Sequence, residues 1–426
     1  MKKIILGMIL LCFTGICSVN AQGIEFFKGS FDEVLKKAQT ENKKIFIDFY
    51  TVWCGPCKLM SKEVFPDAEV GNYFNKKFVA YQINAEDKAF AAQVDKYKIA
   101  AYPGLVITDA AGNMIAQQFG ALDKGHFIKF AQTALGEVLG FKEMYDKLKT
   151  EKNNVQLVQT LLLEAPEFIA KQEPGSNYDR WSLRIERLYS DYRKNKTLAD
   201  MMNPTDFAIL MTYHPEATKN DEVLDYIMKN YDAVVKAVGQ GAVYRYVFAL
   251  NTVLIQNLAR KGDLDYQKSL DRVKGDMKVV YDSLMNFNGH DAYTGMKYLY
   301  DGEYCMYSKK DVDTYFGMMD KYFAMLGKAA SHHDYRNAID VVYESLNGKL
   351  TPKVCTKFLE WLNTAFEGEV PAGDHMELLL MAGDCYKILQ DKESAKKCYN
   401  QAYVLSLQFN NPGLSATVKQ YLTGLE

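Results

Sequence analysis

Residues 44–58 read Lys44-Ile45-Phe46-Ile47-Asp48-Phe49-Tyr50-Thr51-Val52-Trp53-Cys54-Gly55-Pro56-Cys57-Lys58. The first seven residues are rich in β-branched and aromatic side chains, which predicts a buried strand. A helix is predicted to begin at Cys54. Two cysteines three positions apart at a helix start lie on one face, one turn apart. The first can sit among unpaired backbone N–H groups, where the helix dipole favours an anion.

This placement predicts different roles for the two cysteines. The thiolate, not the thiol, attacks a disulfide, so Cys54 is the predicted nucleophile. Cys57 lies one turn deeper and can attack the resulting mixed disulfide. Pro56 is tolerated near the helix start because its missing N–H would be unsatisfied there anyway.

The same pair has two other interpretations, a zinc site and a fixed structural disulfide. A zinc site needs a second pair of ligands, and the sequence holds no second C-x-x-C motif. A disulfide-scaffolded protein would be smaller and denser in cysteine. The adjacent His332 and His333 are expected to point apart on a helix and form a solvated turn. The sequence therefore predicts a redox pair, with no metal and no cofactor.

Composition and the first residues indicate the classes of partner and the cellular compartment of the protein. The 426 residues include 51 Lys and Arg and 53 Asp and Glu, a balance that gives no reason to expect nucleic acid as a partner. A short basic start, an apolar run from Ile4 to Ile16 and a small-residue site ending at Ala21 predict a cleaved signal peptide over residues 1–21. The alternative is a membrane anchor, but the run is short for a bilayer. We therefore expect a periplasmic or secreted protein.

Residues 22–138 alternate strand and helix signals. A capping box at Ser30 opens the first helix, and Asp109 to Asn113 predict a hairpin turn. The pattern predicts an α/β sheet with an antiparallel edge. Its predicted strands are Lys44–Tyr50, Phe78–Ile83, Leu105–Thr108 and Met114–Gln118, and its later helices are Lys88–Tyr97 and Asp123–Leu135.

Residues 139–426 show a different pattern, with successive helical segments and no convincing strand. Examples are Tyr178–Lys194, Val243–Arg260 and Val312–Leu326. Stacked helical hairpins are the natural interpretation. The segment near 376–407 resembles a tetratricopeptide repeat at the spacing of Leu379, Gly383, Tyr386, Ala395, Tyr399 and Ala402.

The N-terminal part resembles the thioredoxin family. The resemblance is carried by residues 47–58, by Ala101-Tyr102-Pro103, and by Phe119-Gly120-Ala121 with the helix that follows. The segments 31–44 and 64–70 look closer to the branch that includes the reductase domain of transmembrane thiol–disulfide interchange proteins. The resemblance implies an α/β thioredoxin fold for the domain over residues 22–138. The helical pattern predicts that an all-α helical-repeat domain follows it.

The resemblance also implies roles for individual residues. Asp48 matches the family's buried acid, whose raised pKa lets it take the proton of Cys57; the alternative is an acid that caps a turn. Pro103 matches the cis-proline, whose loop offers backbone groups to an extended client; the alternative is a trans turn. The expected substrate-binding residues are Trp53, Tyr102, Pro103, Gly104 and Gly120; the alternative for Trp53 is a place in the core.

Two departures from the family pattern stand out. Gly104 replaces the threonine that often follows the cis-proline, so we expect a wider or more mobile groove. The lysine usually found near the buried acid is missing, since the strand reads Val79-Ala80-Tyr81-Gln82-Ile83. Without that cation, Asp48 should be harder to ionise, which puts family-like proton-transfer rates in doubt.

The sequence therefore predicts a thiol–disulfide oxidoreductase, with a reductase favoured because the Gly-Pro dipeptide resembles that of reducing members. Its expected partners are protein or peptide thiol and disulfide clients and a membrane interchange protein as electron donor. The alternatives are an oxidase or isomerase, or a helical binding scaffold with an accessory redox domain. Cys385 and Cys398 are expected to be buried thiols, with a disulfide between them as the alternative.

Overall fold

The structure, a computed structural model, describes residues 23–285, 287–409 and 411–425. The predicted signal peptide over residues 1–21 lies outside the described residues. The chain falls into two compact units that divide between Asn154 and Val155, whereas the sequence places the boundary after residue 138. Along the described chain, no helix has both the length and the apolar character needed to cross a bilayer.

The first unit has an α/β architecture, which confirms the predicted fold class. Its strands are β1 (Lys44–Tyr50), β2 (Phe78–Asn84), β3 (Gly104–Thr108) and β4 (Met114–Phe119). Its α-helices are α1 (Phe31–Glu41), α2 (Gly55–Leu59), α3 (Ala68–Lys77), α4 (Ala91–Lys96), α5 (Lys124–Ala134) and α6 (Phe141–Lys147). A π-helical turn, Met60–Val64, continues α2, and a 3₁₀ turn, Lys88–Phe90, precedes α4.

The four strands form one mixed sheet in the order β2-β1-β3-β4. β1 pairs with β2 in parallel and with β3 in antiparallel fashion, and β4 closes the antiparallel edge. The central strand β1 is buried on both faces, which explains its nearly continuous apolar run. The expected sheet with an antiparallel edge is therefore present.

The two faces of β1 carry different side chains because successive residues of a strand point to opposite sides. Phe46 packs in a cluster with Met60 and Val64 of the turn that continues α2. Ile47 and its odd-numbered neighbours pack into a separate cluster on the other face. Asp48 shares the parity of Phe46, so it belongs to the sheet face that the helix after Cys57 covers.

The second unit is helical throughout its described part, apart from a single bridge between Phe287 and His290. Its first helices are α7 (Val155–Ala170), α8 (Ser176–Lys194), α9 (Pro204–Tyr213), α10 (Glu222–Lys229), α11 (Tyr231–Val238), α12 (Gln240–Arg260) and α13 (Tyr266–Lys274). The later helices are α14 (Lys278–Leu284), α15 (Ala292–Tyr304), α16 (Val312–Leu326), α17 (His332–Ser345), α18 (Pro352–Phe366), α19 (Ala372–Ile388), α20 (Lys392–Leu407) and α21 (Pro412–Thr423).

Helices α19 and α20 occupy the segment that resembles a tetratricopeptide repeat. Gly383 faces the ring of Tyr399, and a Cβ at Gly383 would lie 2.2 Å from that ring's Cε1 atom. Ala395 and Ala402 are fully buried, and Tyr399 is 1% exposed. Small residues therefore let the two helices approach, and a tyrosine fills the space between them.

Candidate active site

Cys54 and Cys57 are joined by a disulfide, with 2.08 Å between their sulfur atoms. Cys54 is the N-cap of α2 in an extended conformation, and its sulfur accepts a hydrogen bond of 3.1 Å from the backbone N–H of Cys57. This is the position where unpaired N–H groups and the helix dipole favour a negative charge. The geometry therefore suits a thiolate on Cys54 once the disulfide is reduced.

The surroundings of the disulfide are apolar and open on one side. Both cysteines are nearly buried, whereas Val52 is 62% and Trp53 66% exposed. Large exposed apolar side chains beside a reactive group indicate a surface that a partner covers. A cleft of about 410 Å³ adjoins the disulfide, and its lining comprises Tyr50, Thr51, Val52, Cys57, Lys58, Ser61 and Lys62.

Glu86 holds the exposed Trp53 in place. Its carboxylate accepts hydrogen bonds from the indole Nε1–H of Trp53 at 2.9 Å and from the backbone N–H of Val52 at 3.2 Å. The Trp53 ring also meets the ring of Tyr102 edge to face, with 6.1 Å between centroids. Glu86 is not among the site residues predicted from the sequence. A usable signal existed, because Trp53 follows β1 and Glu86 follows β2, and parallel neighbours end at the same edge of a sheet.

The loop before β3 contributes the expected proline. The Tyr102–Pro103 peptide bond is cis, so the ordinary trans turn is excluded. The carbonyl of Pro103 accepts a hydrogen bond of 2.9 Å from the N–H of Gly120, which fixes this loop to the end of β4. Gly120 has φ +85°, a conformation that side chains with a Cβ rarely adopt. Gly104 begins β3 and pairs with Phe49 and Phe119.

Asp48 lies inside β1 and is only 1% exposed, so it does not cap a turn at the strand end. One carboxylate oxygen accepts a hydrogen bond of 3.0 Å from the side-chain amide of Gln82. The other is buried and has no hydrogen-bond partner among the described residues. Burial raises the pKa of Asp48 to about 6, against a smaller lowering by the Gln82 hydrogen bond.

The other cysteines among the described residues are free thiols in the helical unit. Cys355 and Cys385 are buried, and Cys305 and Cys398 are partly exposed. Cys385 lies within hydrogen-bonding reach of the Cys355 thiol, and burial raises the pKa of both thiols. A disulfide between Cys385 and Cys398 is the alternative to inert thiols in the sequence, and both cysteines are free thiols in the structure.

The histidine pair differs from its expected geometry. The rings of His332 and His333 do not diverge, since their centroids are 4.0 Å apart. Each histidine and Asp374 offer a ligand atom within 4.8 Å of the others. The guanidinium of Arg336, 3.9 Å from Asp374, already supplies a positive charge there. The absence of a metal stays a prediction.

The mixed sheet, the disulfide at the start of α2 and the cis-proline define a thioredoxin fold with a C-x-x-C pair. Residues 31–135 match the family described as Thioredoxin-like domain. The first unit of the chain therefore contains a thioredoxin-like domain.

Several curated relatives match part of the chain. Protein disulfide-isomerase 1 of Dictyostelium discoideum is 28% identical over 102 residues, which are 24% of this chain and 27% of that protein. Thioredoxin Y, chloroplastic, of Oryza sativa subsp. japonica is 31% identical over 106 residues, 25% of this chain and 58% of that protein. Thiol:disulfide interchange protein DsbD of a Pseudomonas species is 29% identical over 22% of this chain and 17% of its own length. The chain thus spans less than two thirds of each relative.

Two solved structures are similar to about a quarter of the chain. A candidate disulphide-isomerase from Bacteroides thetaiotaomicron is 38% identical, with 27% of this chain and 94% of that chain covered and a TM-score of 0.26. A thioredoxin from Thermus thermophilus is 18% identical, with 25% and 83% covered and a TM-score of 0.23.

Proposed function

We propose that this protein is a thiol–disulfide oxidoreductase that reduces disulfides of client proteins outside the cytoplasm. The observation that carries the proposal is the position of Cys54, whose sulfur caps a helix and accepts the N–H of Cys57. A sulfur so placed is stabilised as a thiolate, the form that attacks disulfides.

The proposed reaction has two exchanges and starts from the dithiol. The Cys54 thiolate attacks one client sulfur, so the client disulfide breaks and its other sulfur leaves as a thiolate. The Cys57 thiolate then attacks the Cys54 sulfur, the mixed disulfide breaks, and the second client sulfur leaves. The client has gained two electrons, and the protein holds the Cys54–Cys57 disulfide. A thiol donor must reduce that disulfide again.

A trapping experiment tests the order of the two cysteines. Cys57→Ala leaves an attacking thiolate without a resolving thiol, so mixed disulfides should accumulate on non-reducing gels. Cys54→Ala should trap almost nothing, and the double variant serves as the background control. More complexes with Cys54→Ala than with Cys57→Ala would reverse the assignment.

Asp48 is the proposed acceptor of the Cys57 proton. A carboxyl group with a pKa of about 6 is mostly ionised at neutral pH and can therefore accept a proton. Asp48→Asn should slow disulfide reduction by roughly 10² to 10⁴-fold and remove the rise in rate through pH 6. The exposed Asp95, changed to Asn, is the matched control. Unchanged turnover of the Asp48 variant across neutral pH would rule out the proton role.

The direction of the reaction is proposed from the Gly-Pro dipeptide between the cysteines, which resembles that of reducing family members. The alternatives are an oxidase or an isomerase. The reduction potential of the Cys54–Cys57 pair distinguishes them. A potential near that of thioredoxin, about −270 mV, supports a reductase, and one near about −120 mV supports an oxidase.

The helical unit is proposed to select clients, as a tetratricopeptide-like array of hairpins would. The alternative is a binding scaffold whose redox domain is accessory. A fragment of residues 22–154 follows the division of the two units and should reduce insulin at nearly the full rate. The same fragment with Cys57→Ala should lose most clients that the full-length trap captures. Equal capture by both would show that the helices do not select clients.

The compartment and the electron donor are also proposed. The signal-peptide pattern favours a periplasmic or secreted protein, and a membrane thiol–disulfide interchange protein is the donor class that suits this setting. N-terminal sequencing of the mature protein after cell fractionation tests the first point, with a new start at Gln22 expected. Loss of the reduced Cys54–Cys57 state when membrane donors are deleted tests the second.

A further inference from the structure

The helical unit contains a polar cleft that lies outside the redox site. Four helices, α12, α15, α16 and α17, surround a volume of about 310 Å³. This is at the low end of the range for ligand pockets, so it suits one side chain better than a folded element. Its lining residues are Gln256, Arg260, Leu299, Glu303, Tyr315, Met319, Tyr322, Asp334, Asn337, Ala338, Asp340, Val341 and Glu344.

A buried ion pair forms one wall of the cleft. The Glu303 side chain is 3% exposed and accepts a hydrogen bond of 2.6 Å from Nε of Arg260. The guanidinium of Arg260 also lies 5.2 Å from the ring centroid of Tyr307. Burial of a charge is unfavourable unless the charge is paired. Arg260 supplies the one guanidinium in the lining, and this group is paired with the buried carboxylate of Glu303.

Helix α17 lines the cleft with further acids. Asp334, Asn337, Val341 and Glu344 recur at helical spacing, and Asp340 joins them. Glu344 accepts a hydrogen bond of 2.6 Å from the hydroxyl of Tyr307. The lining therefore holds four carboxylates and one guanidinium, so negative charge is in excess.

The nearby cations do not remove this excess. Arg336 approaches Asp340 at 3.7 Å but makes its closest contact with Glu377. Arg260 is 3.9 Å from Glu344, a longer distance than to Glu303. Burial raises the pKa of Asp340, Arg336 opposes this shift, and the neighbouring acids Glu344 and Glu377 add smaller increases. The four carboxylates of the lining therefore outnumber the two guanidinium groups that approach them, those of Arg260 and Arg336.

We propose that this cleft binds the guanidinium or ammonium group of a basic residue in a client polypeptide. The inference rests on the proposed role of the helical unit in client binding. The carboxylates of Asp340 and Glu344 can accept charge-assisted hydrogen bonds, and Tyr322 adds an aromatic side chain to the lining. A basic side chain would supply the positive charge that the lining lacks.

The test uses the oxidised full-length chain, so binding does not depend on redox turnover. The probes are two Gly-Ser octapeptides that differ only in a central arginine or citrulline, which has a neutral group of the same shape. Saturation-transfer NMR and titration give their dissociation constants. The arginine peptide should bind about tenfold more tightly, as expected for hydrogen bonds to charged groups, and its advantage should shrink at high salt.

Matched variants localise the effect. Asp340→Asn and Glu344→Gln should each weaken binding of the arginine peptide about two- to fivefold, since both acids are partly exposed. Asp313→Asn removes the same charge from an exposed position of α16 outside the cleft and should leave binding unchanged. Circular dichroism verifies that each variant is folded.

Two results would overturn the proposal. Equal affinity for arginine and citrulline would mean that no cation is recognised, and equal weakening by Asp313→Asn would mean only a diffuse attraction. Insulin reduction is measured in parallel on the same samples. Its failure in the parent protein would refute the oxidoreductase proposal alone, because peptide binding is read on the disulfide form.

Discussion

Asp48 should make the stability of the first unit depend on pH. The residue is 1% exposed, and burial raises its pKa from 3.8 to about 6. The folded state therefore binds this proton more tightly than the unfolded state. The stabilisation by the protonated carboxyl is fully present below pH 3.8 and is lost as pH rises through 6.

The size of the effect follows from the two pKa values. One pKa unit corresponds to about 1.4 kcal/mol, so a difference of roughly two units corresponds to about 3 kcal/mol of unfolding free energy. Asp48→Asn keeps the shape and removes the charge. Any cost of the new amide is the same at every pH. The variant should therefore gain about 2 to 3 kcal/mol relative to the parent between pH 4 and pH 8.

Amide hydrogen exchange measures this for the first unit alone. Mass spectrometry of peptides that contain β1 reports the free energy of opening of that sheet, after correction for the intrinsic pH dependence of exchange. Asp95→Asn, an exposed change in the same unit, should show no such trend. If the Asp48 variant and the parent differ by the same amount at pH 4 and pH 8, the reasoning about a desolvated carboxyl is wrong.

Three further substitutions have defined outcomes. Gln82→Lys should place an ammonium group beside Asp48 and lower its pKa by about one to three units; the midpoint of the same pH dependence should move down, and an unmoved midpoint would contradict this. In Gly120→Ala the alanine must adopt φ +85°, so the free energy of unfolding, measured by thermal unfolding, should fall by about 1 to 2 kcal/mol. In the control Gly55→Ala no atom lies within 4 Å of the added Cβ, so this free energy should fall less. Glu86→Gln should weaken the hydrogen bond that restrains the Trp53 indole, so the ¹⁹F resonance of fluorotryptophan at position 53 should narrow. An unchanged line width would show that Tyr102 alone fixes the ring.

The elements with strong local signals could be predicted from the sequence. The strand Lys44–Tyr50 and the helix Val312–Leu326 have the predicted bounds. The capping box at Ser30 is present as expected. Such features depend on neighbours within a few residues. The segment predicted as one helix over 88–97 is instead a 3₁₀ turn and a short helix, because irregular first turns carry little periodicity.

Features that depend on contacts between distant residues could not be predicted in the same way. The burial of Asp48 follows from β1 being central, but its Gln82 hydrogen bond joins two different strands. Glu86 had no local motif, and its one signal was its position after β2, the parallel neighbour of β1. The approach of Cys355 and Cys385 connects two helices, and no spacing rule gives that pairing. The polar cleft needs four helices to come together, and their order in sequence does not reveal which faces meet.

The buried thiols of the helical unit are built-in probes of the local unfolding of that unit. Cys355 is fully buried and Cys385 is 1% exposed, so an alkylating reagent reaches them only when the surrounding helices separate. Their labelling rate at low reagent concentration therefore reads the population of opened molecules. Because the redox pair lies in the other unit, the alkylation rate of Cys355 and Cys385 can be measured while the Cys54–Cys57 disulfide stays oxidised. A ligand that stabilises the packing of the helices would lower this rate.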